Sequence, residues 1–308
     1  MQRDELKEIL QCLPEYKSKF YYFRDRYALL LLRLAISGKV SKQEIKKTPF
    51  SKLLDKAVVQ AVLNQCRERL VSANDFDAYW PVSYECFYLT LGVWGSKRAN
   101  DFLQTSRKGY NLVLQLNFSS KHDVPYRKLV DPFGLRPFEL GGHPVAKGEL
   151  HTLAWSRLDI DLSSGEALIE EIQNDWIREA LWARWVAVRQ RGPNYYFGSK
   201  LENDWIIRYV DTVLRRYEAI WDEAMLAATL WLLREELGVR KVFYHTHASG
   251  AKLKKIRNRL PPRSLYTKLP KRFCFGETDE VPELLTKNVR SVARMKVLGQ
   301  ARFHDLKL

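Results

Sequence analysis

The chain has 308 residues, more than one ordinary domain of about 100–200 residues requires, so two packed units are expected. Hydrophobic residues make up 46% and aromatics 12%, which excludes a disordered, collagen-like or low-complexity chain. Lys and Arg number 51 against 36 Asp and Glu, a net charge of +15. Such a balance favours nucleic acid, an anionic membrane or a phosphate-bearing ligand as partner.

Residues 1–105 read as a helical domain that binds nucleic acid or a partner. A short amphipathic start spans 5–13, a longer apolar-periodic run spans 21–36 and closes at Gly38, and 57–70 carries Val58, Ala61, Val62 and Cys66 on one stripe. Ser41 and Glu44 have the spacing of a capping box. The connecting loop is basic, with Lys39, Lys42, Lys46, Lys47, Lys52 and Lys56. Both a helix-turn-helix reader and a small bundle with a solvated lysine face fit that pattern.

After Gly109 the period changes to two, with Leu112, Leu114, Leu116 and Phe118 alternating with Val113, Gln115 and Asn117. A Pro/Gly-punctuated connection follows. Residues 150–161 and 167–174 then form two extended runs joined by a turn through Gly165. Asn174 and Asp175 supply caps for a helix near Trp176, and Asn-Asp-Trp-Ile recurs at 203–206 before a long helix ending at Gly238. Residues 239–246 read as a buried strand, parallel to 167–174 through a right-handed crossover, and 249–259 as a basic helix. The predicted fold is α+β: the N-terminal helical domain, a mixed central sheet flanked by helices over 106–276, and a basic C-terminal extension over 277–308.

Cys12, Cys66, Cys86 and Cys274 form no Cys-x-x-Cys pair, so reduced thiols in a cytoplasmic protein are expected. The first ten residues lack the apolar core of a signal peptide. The most apolar stretches, 28–36 around Arg33 and 225–233, fall short of the ~20 residues of a membrane span, so no membrane partner is expected.

The hairpin Arg157-Leu158-Asp159-Ile160-Asp161 with Gly165 through Ile172 resembles the central hairpin of GNAT-type N-acyltransferases. Leu237 through His247 is similar to that family's fifth strand, and Leu265-Tyr266-Thr267-Lys268-Leu269 to its late Leu-Tyr-x-Lys-Leu segment. The likeness spans about 150–275. It implies acetyl-CoA as donor and an amine, on a small molecule or a macromolecule, as acceptor. It also implies a splayed parallel strand pair, a base at Glu171 (or Glu170 on the opposite face) and an acid at Tyr266. From their own spacing, His245 and His247 at a strand end face the same way and read as a substrate-facing pair of proton carriers. The donor's phosphates would fall to Asn174, Lys252, Lys254 and Lys255. In place of the family's glycine-rich loop the chain has Asp175-Trp176-Ile177-Arg178-Glu179. Residues 170–176 also resemble the Glu-Glu-Ile-Gln-Ser-Asp-Trp string of phage polyvalent proteins.

Two other readings stand beside this one. Asp161 (or Asp159), Glu171 and Gln173 match a PD-(D/E)xK nuclease, whose carboxylates hold Mg²⁺. Without catalysis, the chain reads as a nucleic-acid-associated protein of phage or mobile-element type. Between Ala251 and Gly276 there are nine bases and no acid: Lys252, Lys254, Lys255, Arg257, Arg259, Arg263, Lys268, Lys271 and Arg272. With Tyr266, Phe273 and Phe275 among them, the tract suits a polyanion, DNA or RNA. His245 and His247, with His151, are weighed as a zinc set, but no metal site is expected.

Overall fold

The computed structural model describes residues 1–12, 18–66, 70–95, 104–189, 194–196, 199–256, 261–299 and 302–308. The fold is α+β, built on one mixed sheet of eight strands. These are β1 (Ser18–Tyr22), β4 (Glu85–Trp94), β5 (Asn111–Asn117), β6 (Thr152–Asp161), β7 (Glu166–Gln173), β10 (Lys241–His245), β11 (Gly276–Thr278) and β12 (Phe303–Lys307). Their spatial order is β1-β4-β5-β6-β7-β10-β12-β11. Two small ribbons stand apart, β2 (Val40–Ser41) with β3 (Leu70–Val71), and β8 (Asn194–Tyr196) with β9 (Ser199–Leu201).

The N-terminal helices are α1 (Arg3–Cys12), α2 (Arg26–Ala35), α3 (Lys42–Lys46), α4 (Ala57–Gln65) and α5 (Ala73–Ala78). Next come α6 (Ser120–Leu129), α7 (Trp176–Arg189), α8 (Asn203–Arg208), α9 (Arg215–Glu218) and α10 (Trp221–Trp231). The series ends with α11 (His247–Leu253), α12 (Arg263–Arg272), α13 (Glu283–Thr286) and α14 (Val289–Leu298). Among the described residues no helix is long and apolar enough to cross a membrane.

Adjacent strands run antiparallel except β7 and β10, which are parallel from Glu166↔Lys241 to Ile169↔Tyr244, as the crossover requires. Strict alternation sends Ala167, Ile169, Val242 and Tyr244 into the main core, which α10 covers. Leu168 and Phe243 point the other way, into a smaller core closed by Leu253, Leu284, Leu285 and Phe303. Polar groups on this second face carry most of the expected site.

The predicted hairpin, crossover, Ser41–Glu44 capping box and helix start near Trp176 are all present. β1 and β4 come from the first 105 residues yet pair into the main sheet, Phe20 with Phe87 and Leu91 with Leu114. Residues 303–307 form a strand between β10 and β11. The 21–36 run is split because Asp25, at φ 64°, breaks the chain between β1 and α2.

Candidate functional site

The register of β6 with β7 slips once: Arg157 faces Glu171 and Leu158 faces Ile169, leaving Glu170 as the extra residue of a bulge. A bulge re-aims side chains, and here it turns two consecutive carboxylates toward the second face instead of opposite faces. Glu170 accepts from Ser106 N–H and Ser106 Oγ, both at 2.9 Å, and lies 3.2 Å from His245 Nε2. Burial pushes its pKa up, but the His245 hydrogen bond and the charges of Lys254 and Arg157 outweigh that and bring it to about 2. Burial holds the His245 imidazole below its usual value. Ser106 and Glu170 share the same ring nitrogen of His245, Oγ–Nε2 2.9 Å. A Ser-His-acid relay needs them on opposite nitrogens, so the cluster is not one.

Glu171 is ion-paired with Arg157, and both are fully buried. Arg157 also donates to the Gln104 carbonyl at 2.9 Å, while its Nε and second terminal nitrogen lack partners among the described residues. A base shielded this way is poorly placed to take a proton from an acceptor amine.

The parallel ladder ends at Ile169–Tyr244, and the next carbonyl, that of Glu170, is met by Lys254 Nζ at 2.7 Å rather than by a strand. Gly250 lets α11 lie close enough for this, since a Cβ there would stand 3.1 Å from His245 Cβ. Burial lowers the Lys254 pKa. Lys254 therefore fills the opening between the strands and is removed from the set of surface phosphate ligands. Tyr266 packs against Tyr244, ring centroids 5.5 Å apart, and its hydroxyl has no partner among the described residues. Burial raises the phenol's pKa well above normal, so it keeps its proton.

At the head of α7, Asn174 is a buried cap whose Oδ1 accepts from Ile177 N–H at 2.8 Å. Asp175 accepts from His143 at 2.6 Å, Gln173 at 2.6 Å and Arg178 at 2.7 Å. Burial raises its pKa, but these partners outweigh that and lower it. A fixed carboxylate occupies the place where the resemblance puts a diphosphate, and Asn174 serves the helix instead of a cofactor.

The nuclease trio is not brought together. Asp161 pairs across from Glu166 at the hairpin end, five residues from Glu171 and roughly 16 Å away along the strand. Asp159 is held by Arg107 at 2.6 Å, and Gln173 is spent on Asp175. Among the described residues no group of three His, Cys, Asp or Glu is disposed to hold a metal ion. His151 bonds Glu139, His245 bonds Glu170, and His247 begins α11, so these three share no site.

Of the basic tract, Lys252, Lys255, Arg263, Lys268 and Lys271 are exposed, while Arg272 is half-buried against Asp222 at 3.3 Å. Arg257 and Arg259 lie outside the described residues. Lys52 Nζ donates to the carbonyl of Lys271, so the basic loop after α3 sits beside the end of α12. Grooves exist elsewhere, including one of about 810 Å³ along Leu89–Val93 and Trp231.

Sequence reasoning missed Ser106, the bulge and the inward turn of Lys254. Arg157 was findable, because a lone cation in a buried strand requires an anion, and Glu171 faces it across the hairpin. Compared with family models, curated proteins and solved structures, the chain matches none.

Proposed function

We propose that the chain is a nucleic-acid-binding protein whose sheet scaffolds a basic surface built jointly by the loop after α3 and by α12. The observation that carries this reading is the Lys52–Lys271 contact, which juxtaposes two basic segments 219 residues apart. Lys46, Lys47, Lys268 and Arg263 are exposed on these segments, and α12 contains no acid. A net charge of +15 supports it. Binding of fluorescent DNA and RNA is measured by anisotropy across a salt series. The triple variant Lys52→Ala, Lys268→Ala, Lys271→Ala is expected to weaken binding and flatten the log–log salt slope by about 2–3. Unchanged affinity and slope would overturn the reading.

A second reading, acyl transfer from acetyl-CoA, is favoured by the strand order and by the bulge just beyond the last parallel pair. The Tyr266 hydroxyl, without a partner among the described residues, supports it too, as a proton donor to a leaving thiolate. The ion-paired Glu171, the inserted Lys254 and the Asp175 carboxylate weigh against it, which is why it stands second. Titration calorimetry and a free-thiol assay with acetyl-CoA decide: heat of binding by the wild type, with thiol release that is lost in Tyr266→Phe while binding stays, supports it, and no heat removes it.

A further inference from the structure

We infer that the end of α11 and the adjoining side of α14 form a second phosphate-binding surface. It holds a second segment of nucleic acid on the sheet face opposite the first, so it deepens the reading above and rests on it. α12 seats Leu265 and Leu269 in the main core. Leu253 of α11 belongs to the smaller core on the other face, and Met295 of α14 packs against it. The two surfaces therefore stand back to back, roughly 30 Å apart across a sheet and two helix layers. Neither α11 nor α14 carries an acidic residue.

Four cations gather where these helices meet. Arg294 Nη1 donates to the carbonyl of Leu253, which lies between Lys252 and Lys255 in the chain. Arg290 stands one turn before Arg294 on the same side of α14. Burial, then the charge of Arg290, lowers the Arg294 pKa. Lys252, Lys255 and Arg290 are exposed, and none of the four has a carboxylate ion-pair partner among the described residues. Like charges at i, i+4 destabilise a helix; the phosphates of a bound strand offset them, and release of its counterions drives the binding. The backbone is a separate sign. α11 closes in a Schellman motif, with Ile256 N–H on the Ala251 carbonyl at 2.8 Å and Lys255 N–H on the Lys252 carbonyl at 3.1 Å. The left-handed position of that motif ordinarily goes to glycine, yet Lys255 holds it at φ 55°. A lysine kept in a strained turn fits a residue retained for its charge. A flat bilayer meets one face of a molecule at a time, whereas two basic faces back to back fit two separate polyanion segments.

The two surfaces separate experimentally. The intact chain is mixed with two portions of the DNA or RNA oligonucleotide that binds it in anisotropy, one carrying a donor dye and the other an acceptor. Energy transfer between the portions is expected, with a sedimenting complex of one chain and two oligonucleotides. The combined variant Lys252→Ala, Lys255→Ala, Arg290→Ala abolishes the transfer and the second binding step, while the first step keeps its affinity and salt slope. All three side chains are exposed, and circular dichroism checks the fold. The Lys52/Lys268/Lys271 variant also loses the transfer, yet keeps one binding step, that of the second surface. The second surface is overturned by a one-to-one complex without transfer, by transfer that survives the Lys252/Lys255/Arg290 variant, or by transfer that follows self-association of the chain alone. It is equally overturned if that variant changes only binding to anionic vesicles. The first surface stands in each case where the Lys52/Lys268/Lys271 variant still weakens binding. Absence of binding to any oligonucleotide by the wild type removes both readings.

Discussion

Glu223, in the first turn of α10, is a buried carboxyl whose replacement by glutamine reports directly on the charge it carries. It is 3% exposed, accepts the Asp25 N–H at 3.4 Å, and lies 4.0 Å from Arg272 beside a cavity of about 480 Å³. Burial, then the negative charge of Asp25, raises its pKa from 4.5 to about 7. The folded chain therefore keeps a proton between these values that the unfolded chain has released. Stability falls as pH rises through that window and levels off above it, a loss of roughly 3 kcal/mol. Glu223→Gln keeps an acceptor for Asp25 and removes the charge. Urea unfolding at pH 8 is expected to show the variant more stable by roughly 2–3 kcal/mol, with little difference near pH 4.5. A difference of the same size at both pH values, or a less stable variant at pH 8, refutes the argument.

Glu170 carries the opposite sign. Its pKa, brought to about 2, gives stability that is present above 4.5 and lost as pH falls toward 2. Glu170→Gln is expected to cost roughly 3 kcal/mol at pH 7 in denaturant melts, and a cost below about 1 kcal/mol contradicts the ionised, hydrogen-bonded state. Tyr266→Phe deletes a buried hydroxyl without a partner among the described residues and is expected to raise stability by about 1 kcal/mol; calorimetric melting that shows a loss instead means the hydroxyl is bonded. Lys254→Met strips the Glu170 carbonyl of its donor but also relieves a buried charge, so it is expected to cost less at pH 6, where that charge burdens the wild type, than at pH 9. An equal cost at both values argues against a lowered Lys254 pKa.

The parts of the fold that were legible in the sequence are those specified locally. The β6–β7 hairpin shows its alternation and its Gly165 turn at φ 69°, and Ser41 and Asn174 cap helices by side chains within three residues. β1 was hidden because its Ser18–Tyr22 segment runs toward an apolar stretch that reads as one helix, and β12 because five residues carry little pattern. At the candidate site, Glu170 and Glu171 were legible as carboxylates but not as neighbours on one face, since a slip in register leaves no mark when both residues are Glu. Lys254 looks like its neighbours in the basic tract; only the approach of α11 at Gly250 distinguishes it. The convergence of Lys52 on Lys271 is a tertiary event that no local pattern encodes.

The placement of β12 between β10 and β11 has a consequence for how the molecule is made. Until residues 303–307 leave the ribosome, β10 and β11 each present a bare row of amides and carbonyls, open to pairing with other chains. Pairing β12 with β10 joins segments about sixty residues apart, so it costs the entropy of closing a long loop. Assembly of this sheet is in effect sealed by one short keystone strand, whose absence leaves two sheet edges open to wrong partners.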